Sequence, residues 1–229
     1  MKRFAWILFL IPVLNPFAQA RDADGAGNGG GAWVCSKGDI KWMQVLDLFE
    51  AVNEFKLELD QWESNSIEIA GAVMKRFRET HHNLEFHIRP YFEAVLATLE
   101  HPSAAAEIAL IDDAKVRVKP AIETCDGTIA PMQIANFTDD GRLLIDSHLF
   151  NHPKFSPRDQ AALLVHEAIY AYFRSRFEDR DSQRARRVVG ILFSKLDSKA
   201  ANQKIDEALG FSPVGLYGLE FRDVPAGSA

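Results

Sequence analysis

Residues 156–177 read SPRDQAALLVHEAIYAYFRSRF, and the fold depends on how this stretch is taken. Ser156 is a good helix cap, Pro157 suits the first helical position, and Asp159 puts negative charge in the first turn. Ala161 to Ile169 is then apolar on nearly every face, which predicts a central helix running to about Phe177. Within that run stand three polar side chains, His166, Glu167 and Tyr170. His166-Glu167-Ala168-Ile169-Tyr170 differs only in its last residue from H-E-x-x-H, the helix on which zinc proteases hold their metal. There, two histidines one turn apart grip the ion and the glutamate takes a proton from bound water.

This motif supports two readings. In the first, His166 is a metal ligand, Glu167 the general base and Tyr170 a ligand or oxyanion donor, with zinc as the cofactor. His148 and His152, also spaced i, i+4, would then fold back to complete the site. In the second, His166, Glu167 and Tyr170 form a satisfied polar network inside the core. Glu167 would pair with Arg174 on its own helix, or with Arg184 or Arg187 of the next, because a buried charge must find a partner. The apolar surroundings favour the second. Arg174, Arg176, Arg180, Arg184, Arg186 and Arg187 make a basic patch that could meet an anionic polymer or lipid surface, but Glu178, Asp179 and Asp181 interrupt it, which favours a solvated, salt-bridged face.

Working outward, Asp181 to Leu196 predicts a helix with Val188, Val189, Leu192, Phe193 and Leu196 as its buried stripe, and Asn202 to Leu209 a short one ending at Gly210. Upstream, Met132 to Phe137 and Arg142 to Ile145 flank Thr138-Asp139-Asp140-Gly141, which predicts a hairpin over 132–146. Ile108 to Ile111 and Val116 to Val118 suggest further short strands. Three helical periodicities precede them: Trp42 to Phe55, Ile67 to Phe77, and Ile88 to Leu99 with Pro90 in its first turn. A short strand at 32–35 and a turn at Lys37-Gly38-Asp39 come first. The sum is an α+β, mostly helical single domain with a small antiparallel sheet.

The beginning of the chain predicts its destination. Lys2-Arg3, the uncharged run Phe4 to Leu14 and Ala18-Gln19-Ala20 make the pattern of a secretory signal peptide over residues 1–20. A glycine-rich flexible leader (21–31), one globular domain (32–221) and a loose tail (222–229) would follow, with no stable membrane anchor after cleavage. The only two cysteines of the chain, Cys35 and Cys125, read as a disulfide in an exported protein. A formal charge of −6, more acidic still without Lys2 and Arg3, argues against nucleic acid as a partner.

The residues also carry a resemblance. Gly27-Asn28-Gly29-Gly30 followed by Cys35, Leu46-x-Leu48-Phe49-Glu50-Ala51, Ala135-Asn136-Phe137-x-Asp139-Asp140-Gly141, His166-Glu167-Ala168-Ile169-Tyr170 with Arg174, and Asp181-Ser182 together resemble exported proteins of unknown function from predatory and related Gram-negative bacteria. The resemblance implies a periplasmic or secreted location and carries over no catalytic residue. Similarity to zinc peptidases is confined to His166 and Glu167. The expectation is an exported, non-catalytic binding or structural protein with a His-Glu-Tyr-Arg network. The alternatives are a degenerate metal-dependent hydrolase acting on peptide or cell-wall material, and an inhibitor or immunity-type partner for another exported enzyme.

Overall fold

In the computed structural model, which describes residues 30–100, 118–138, 142–179 and 181–210, the stretch quoted above is the axis of the molecule. This helix, Pro157–Phe177, is capped as its sequence demands: Ser156 Oγ accepts from the Asp159 amide at 3.1 Å, with proline in the first turn. Every residue from Ala161 to Ala171 is buried, so the helix has no solvent face along its middle.

Numbered in chain order, the elements are β1 (Gly31–Lys37), β2 (Asp39–Val45), α1 (Leu46–Asn53), α2 (Ser66–Thr80), α3 (His82–Glu100), β3 (Thr128–Gln133), β4 (Ala135–Phe137), β5 (Leu143–Ile145), α4 (Ser147–Phe150), α5 (Pro157–Phe177), α6 (Gln183–Leu192) and α7 (Ser198–Leu209). A short 3-10 turn at Ile122–Thr124 precedes β3. One antiparallel sheet has the order β2-β1-β3; β4 and β5 form a second, two-stranded one. The α+β, mostly helical class with small antiparallel sheets is therefore as the sequence implies. α2 and α3 pack on α5, α1 packs on α6, and α7 closes against α6 and α2.

Four expectations need correcting. The helix predicted over Trp42 to Phe55 begins at Leu46: Trp42 to Val45 belong to β2, where Met43 and Val45 are buried in strand alternation. The reason is the tight turn at Gly38, whose φ of 74° suits glycine and folds β2 back onto β1. The third helix starts six residues earlier than expected, at His82, and carries Pro90 in its interior. Pro90 is exposed, where water can meet the carbonyl that its missing N–H leaves unbonded. Met132 and Gln133 pair with β1, and the hairpin within 132–146 is β4–β5, with Phe137 opposite Leu143. Gly30 and Gly31, assigned to the leader by composition, are buried, and Gly31 opens β1. The strands suggested over 108–117, the signal peptide, most of the leader and the tail lie outside the described residues.

Cys35 of β1 and Cys125 are joined by a disulfide. Between α1 and α6 the contact is close because Gly190 faces Ala51; a Cβ at Gly190 would come within 2.8 Å of the Ala51 Cβ. That approach sets two buried side chains against each other, Glu50 of α1 and Arg186 of α6.

Candidate functional site

His166 and Glu167 are both fully buried, and each meets a partner from the N-terminal part of the chain. His166 Nδ1 lies 2.6 Å from Oδ1 of Asp47, a buried carboxylate in the first turn of α1. Glu167 Oε1 accepts from the Gly30 amide at 2.5 Å. The Gly30 carbonyl in turn accepts from the amides of Ile134 and Ala135, at 3.0 and 3.1 Å. Gly30 is thus held on one side by the central helix and on the other by the link between β3 and β4. A side chain there would displace the buried ends of two others: a Cβ would sit 2.2 Å from Leu163 Cδ1 and 2.7 Å from Glu167 Oε1. The glycine serves close approach instead of mobility.

Asp159 makes a third tie from α5. Its Oδ1 accepts from the Val45 amide at 3.0 Å, immediately before α1, while Ser156 Oγ donates to its Oδ2. Asp47, Asp159, His166 and Glu167 therefore bind the β2–α1 segment and β1 to one helix.

The arginine of the core is Arg186. Its Nε donates to Glu50 Oε2 at 2.9 Å and its Nη1 to Ser182 Oγ at 2.8 Å. The expected partners of Glu167 are engaged elsewhere. Arg184 pairs with Asp179 at 3.4 Å and lies over the Phe173 and Phe177 rings. Arg187 lies over Phe55 and 3.9 Å from Glu207. Arg174 sits over the rings of Tyr170 and Phe137, 5.7 Å from each centroid, and favours the charged form of Glu167 at longer range. Tyr170 is buried, its ring 5.9 Å from that of His166.

His148 and His152 pack against one another, with ring centroids 6.1 Å apart. His152 Nδ1 also accepts from the Lys154 amide. Among the described residues no three His, Cys, Asp or Glu side chains converge as a metal site. The fold-back of His148 and His152 onto His166 is thus not brought about.

Burial governs the protonation of this network. It pushes Glu167 up to about 7, against the opposing His166 charge and Gly30 hydrogen bond. It pushes Glu50 up to about 7 as well, against the charge and hydrogen bond of Arg186. For His166, burial pulls the pKa down, but the charge and hydrogen bond of Asp47 outweigh it and the net shift is upward. Asp159 is raised by burial.

All four shifts act on stability in one direction. A carboxyl that holds its proton more tightly in the folded state contributes fully below its ordinary value, 4.5 for glutamate, and loses that contribution as pH rises through about 7. The raised His166 acts likewise from its ordinary 6.5 upward. The chain is expected to melt about 5–10 °C higher at pH 5 than at pH 8, since Glu50 and Glu167, both raised to about 7, each carry stability on the order of 1 kcal/mol or more, and Asp159 and His166 act in the same direction. Thermal denaturation followed by circular dichroism at both pH values checks this; a melting temperature that rises with pH would contradict it.

Compared with models of known families, with curated proteins and with solved structures, the chain matches none.

Proposed function

We propose that this chain is an exported, non-catalytic binding or structural protein, and that its His-Glu helix is a structural axis. One observation carries the reading: His166 and Glu167 are wholly buried, with His166 Nδ1 on Asp47 and Glu167 Oε1 on the Gly30 amide, and their remaining polar atoms, Nε2 and Oε2, are shut inside the core away from solvent. A general base must reach a water that attacks substrate, and a ligand imidazole must present a nitrogen beside other ligands. Glu167 instead faces backbone, and burial favours its neutral form near pH 7, which suits a group that anchors a strand. The same residues join three segments that are far apart in sequence.

Export is supported by the basic-apolar-small pattern of the first twenty residues and by the disulfide, which is stable in an oxidising compartment. No helix of the described residues is long and apolar enough to cross a membrane.

Metal analysis of the purified full chain tests the choice between this role and a metal-dependent hydrolase. The expected result is less than a tenth of an equivalent of zinc by plasma mass spectrometry and no change in melting temperature with chelator. Stoichiometric zinc, or a chelator-induced loss of several degrees, would overturn the structural reading.

A further inference from the structure

Part of the basic run of α5 and α6 borders an aromatic face that the core network does not use. Where the start of α3 meets the end of α5, four rings form a continuous row. Phe86 packs edge-on against His87 with centroids 5.6 Å apart, and His87 lies parallel to Tyr172 at 6.0 Å. Tyr172 in turn meets Phe177 edge-on at 5.9 Å. Phe86 is 65% exposed and Phe177 38%, and His87 is exposed as well. A lone exposed phenylalanine is ordinary, whereas a contiguous row of rings marks a surface that meets something apolar.

The charges beside the row present mainly one sign to solvent. Arg89 bonds Glu85, but the arginine side chain is 43% exposed and the glutamate only 1%. Arg184 lies 5.3 Å from the Phe177 ring centroid and pairs with Asp179 at 3.4 Å. There too the arginine is the exposed member, 34% against 12%. Arg176 is exposed one turn after Tyr172, where its charge opposes the upward push of burial on the Tyr172 hydroxyl. Among the described residues no carboxylate pairs with Arg176. Glu93 and Glu178 are the exposed acids alongside. Three guanidiniums thus face solvent next to the rings, on a chain whose formal charge is −6.

Rings flanked by guanidiniums match the boundary layer of an anionic membrane. Aromatic side chains favour the level where headgroups meet acyl chains, and a guanidinium binds phosphate through paired N–H donors. A peptide partner would call for a groove. Phe86 instead protrudes, and the cavities beside α6 and α4 are lined by none of the four rings. The acids elsewhere on the chain weaken the attraction little, because exposed charges more than about 10 Å apart are largely screened at physiological salt. We propose that this face docks the chain on an anionic lipid bilayer, with Phe86 and Phe177 entering the headgroup boundary and Arg89, Arg176 and Arg184 on lipid phosphates. The contact is peripheral, since no helix of the described residues is long and apolar enough to cross a membrane. It does not involve the His-Glu helix core, so the zinc analysis and the test below fail separately.

The test is flotation with vesicles of phosphatidylglycerol and phosphatidylcholine in equal parts, against vesicles of phosphatidylcholine alone. The chain used begins at Arg21, which keeps every described element and removes the apolar run Phe4 to Leu14 that would itself bind lipid. The expected result is binding at least about tenfold tighter to the anionic vesicles, weakening as salt rises to about 0.3 M. Arg176→Glu should weaken that binding about tenfold and Phe86→Ser about fivefold. Neither should change the melting temperature, because both side chains are exposed. No binding to anionic vesicles, equal binding to both vesicle types, or binding untouched by both substitutions would overturn the assignment. Retention on immobilised polyglutamate without vesicle binding would also overturn it and give the face to an acidic polymer.

Discussion

Arg186→Ala is expected to lower stability by about 3–5 kcal/mol above pH 7, which for a domain of this size is a fall in melting temperature of roughly 10–15 °C. Arg186 is 1% exposed and neutralises Glu50, itself buried, at 2.9 Å. Truncation removes the cation and leaves the carboxylate where hydration cannot reach it. Glu50 then has an escape, because it can take a proton. Burial already holds its pKa near 7 in the presence of Arg186, and loss of the cation pushes it higher. The cost should therefore shrink between pH 8 and pH 5, where the lone carboxyl is neutral. Thermal melts of the variant and wild type at the two pH values measure this. A loss of stability equal at both would mean that packing of the arginine stem, and not charge, is what Arg186 contributes.

Removing the Cys35–Cys125 bond, as Cys35→Ser with Cys125→Ser, should cost a comparable amount. The bridged residues are 90 positions apart, and the enclosed chain contains β2 and all of α1, α2 and α3. In the chain-entropy account a loop of that length releases about 4–5 kcal/mol of constraint on the unfolded state when opened. The native sheet survives the change, because β1 and β3 pair on either side of the bridge, with Cys35 opposite Ile129. The expected result is a fully folded variant at 20 °C whose urea midpoint falls by about half. An unchanged midpoint would show that the unfolded chain keeps these strands together without the bond.

The helical content of this protein was legible because its signals are local. Ser156-Pro157 opens α5, the stripe around Val188 to Phe193 marks α6, and Gly210, at φ 77°, ends α7. β2 was misread because Trp42, Val45 and Phe49 happen to sit at spacings of three and four; the hairpin at Gly38 overrides that periodicity. Gly30 was misread for another reason. Composition makes a glycine-rich stretch look mobile, whereas the need for a bare backbone against Leu163 and Glu167 appears only once the strand is docked.

In the site, the burial of His166, Glu167 and Tyr170 followed from the apolar run around them, but their partners did not. Asp47 is 119 positions from His166 and carries no motif. Arg186 was grouped with the surface arginines although a signal was present. It stands three and seven residues before Val189 and Phe193, on the buried side of its helix. Asp47 likewise falls three and four residues before Glu50 and Ala51, on the side of α1 that meets Gly190. Charged residues on an apolar stripe were the available clue. A charged, ion-paired Glu167 would make Glu167→Gln strongly destabilising; a carboxyl that burial pushes up to about 7 and that accepts from the Gly30 amide is better replaced by its amide, increasingly so below pH 7.

The central claim is that Glu167 anchors the start of β1 through the Gly30 amide, and amide hydrogen exchange at Gly30 tests it most directly. In the wild type that amide should be protected to the level of the core strands. In Glu167→Ala its exchange should accelerate about 10- to 100-fold, the loss of one buried hydrogen bond to a carboxyl. Glu167→Gln, which keeps an acceptor oxygen, should retain the protection. Exchange at Gly30 as fast as in an unfolded chain, or protection undiminished in Glu167→Ala, would contradict the account.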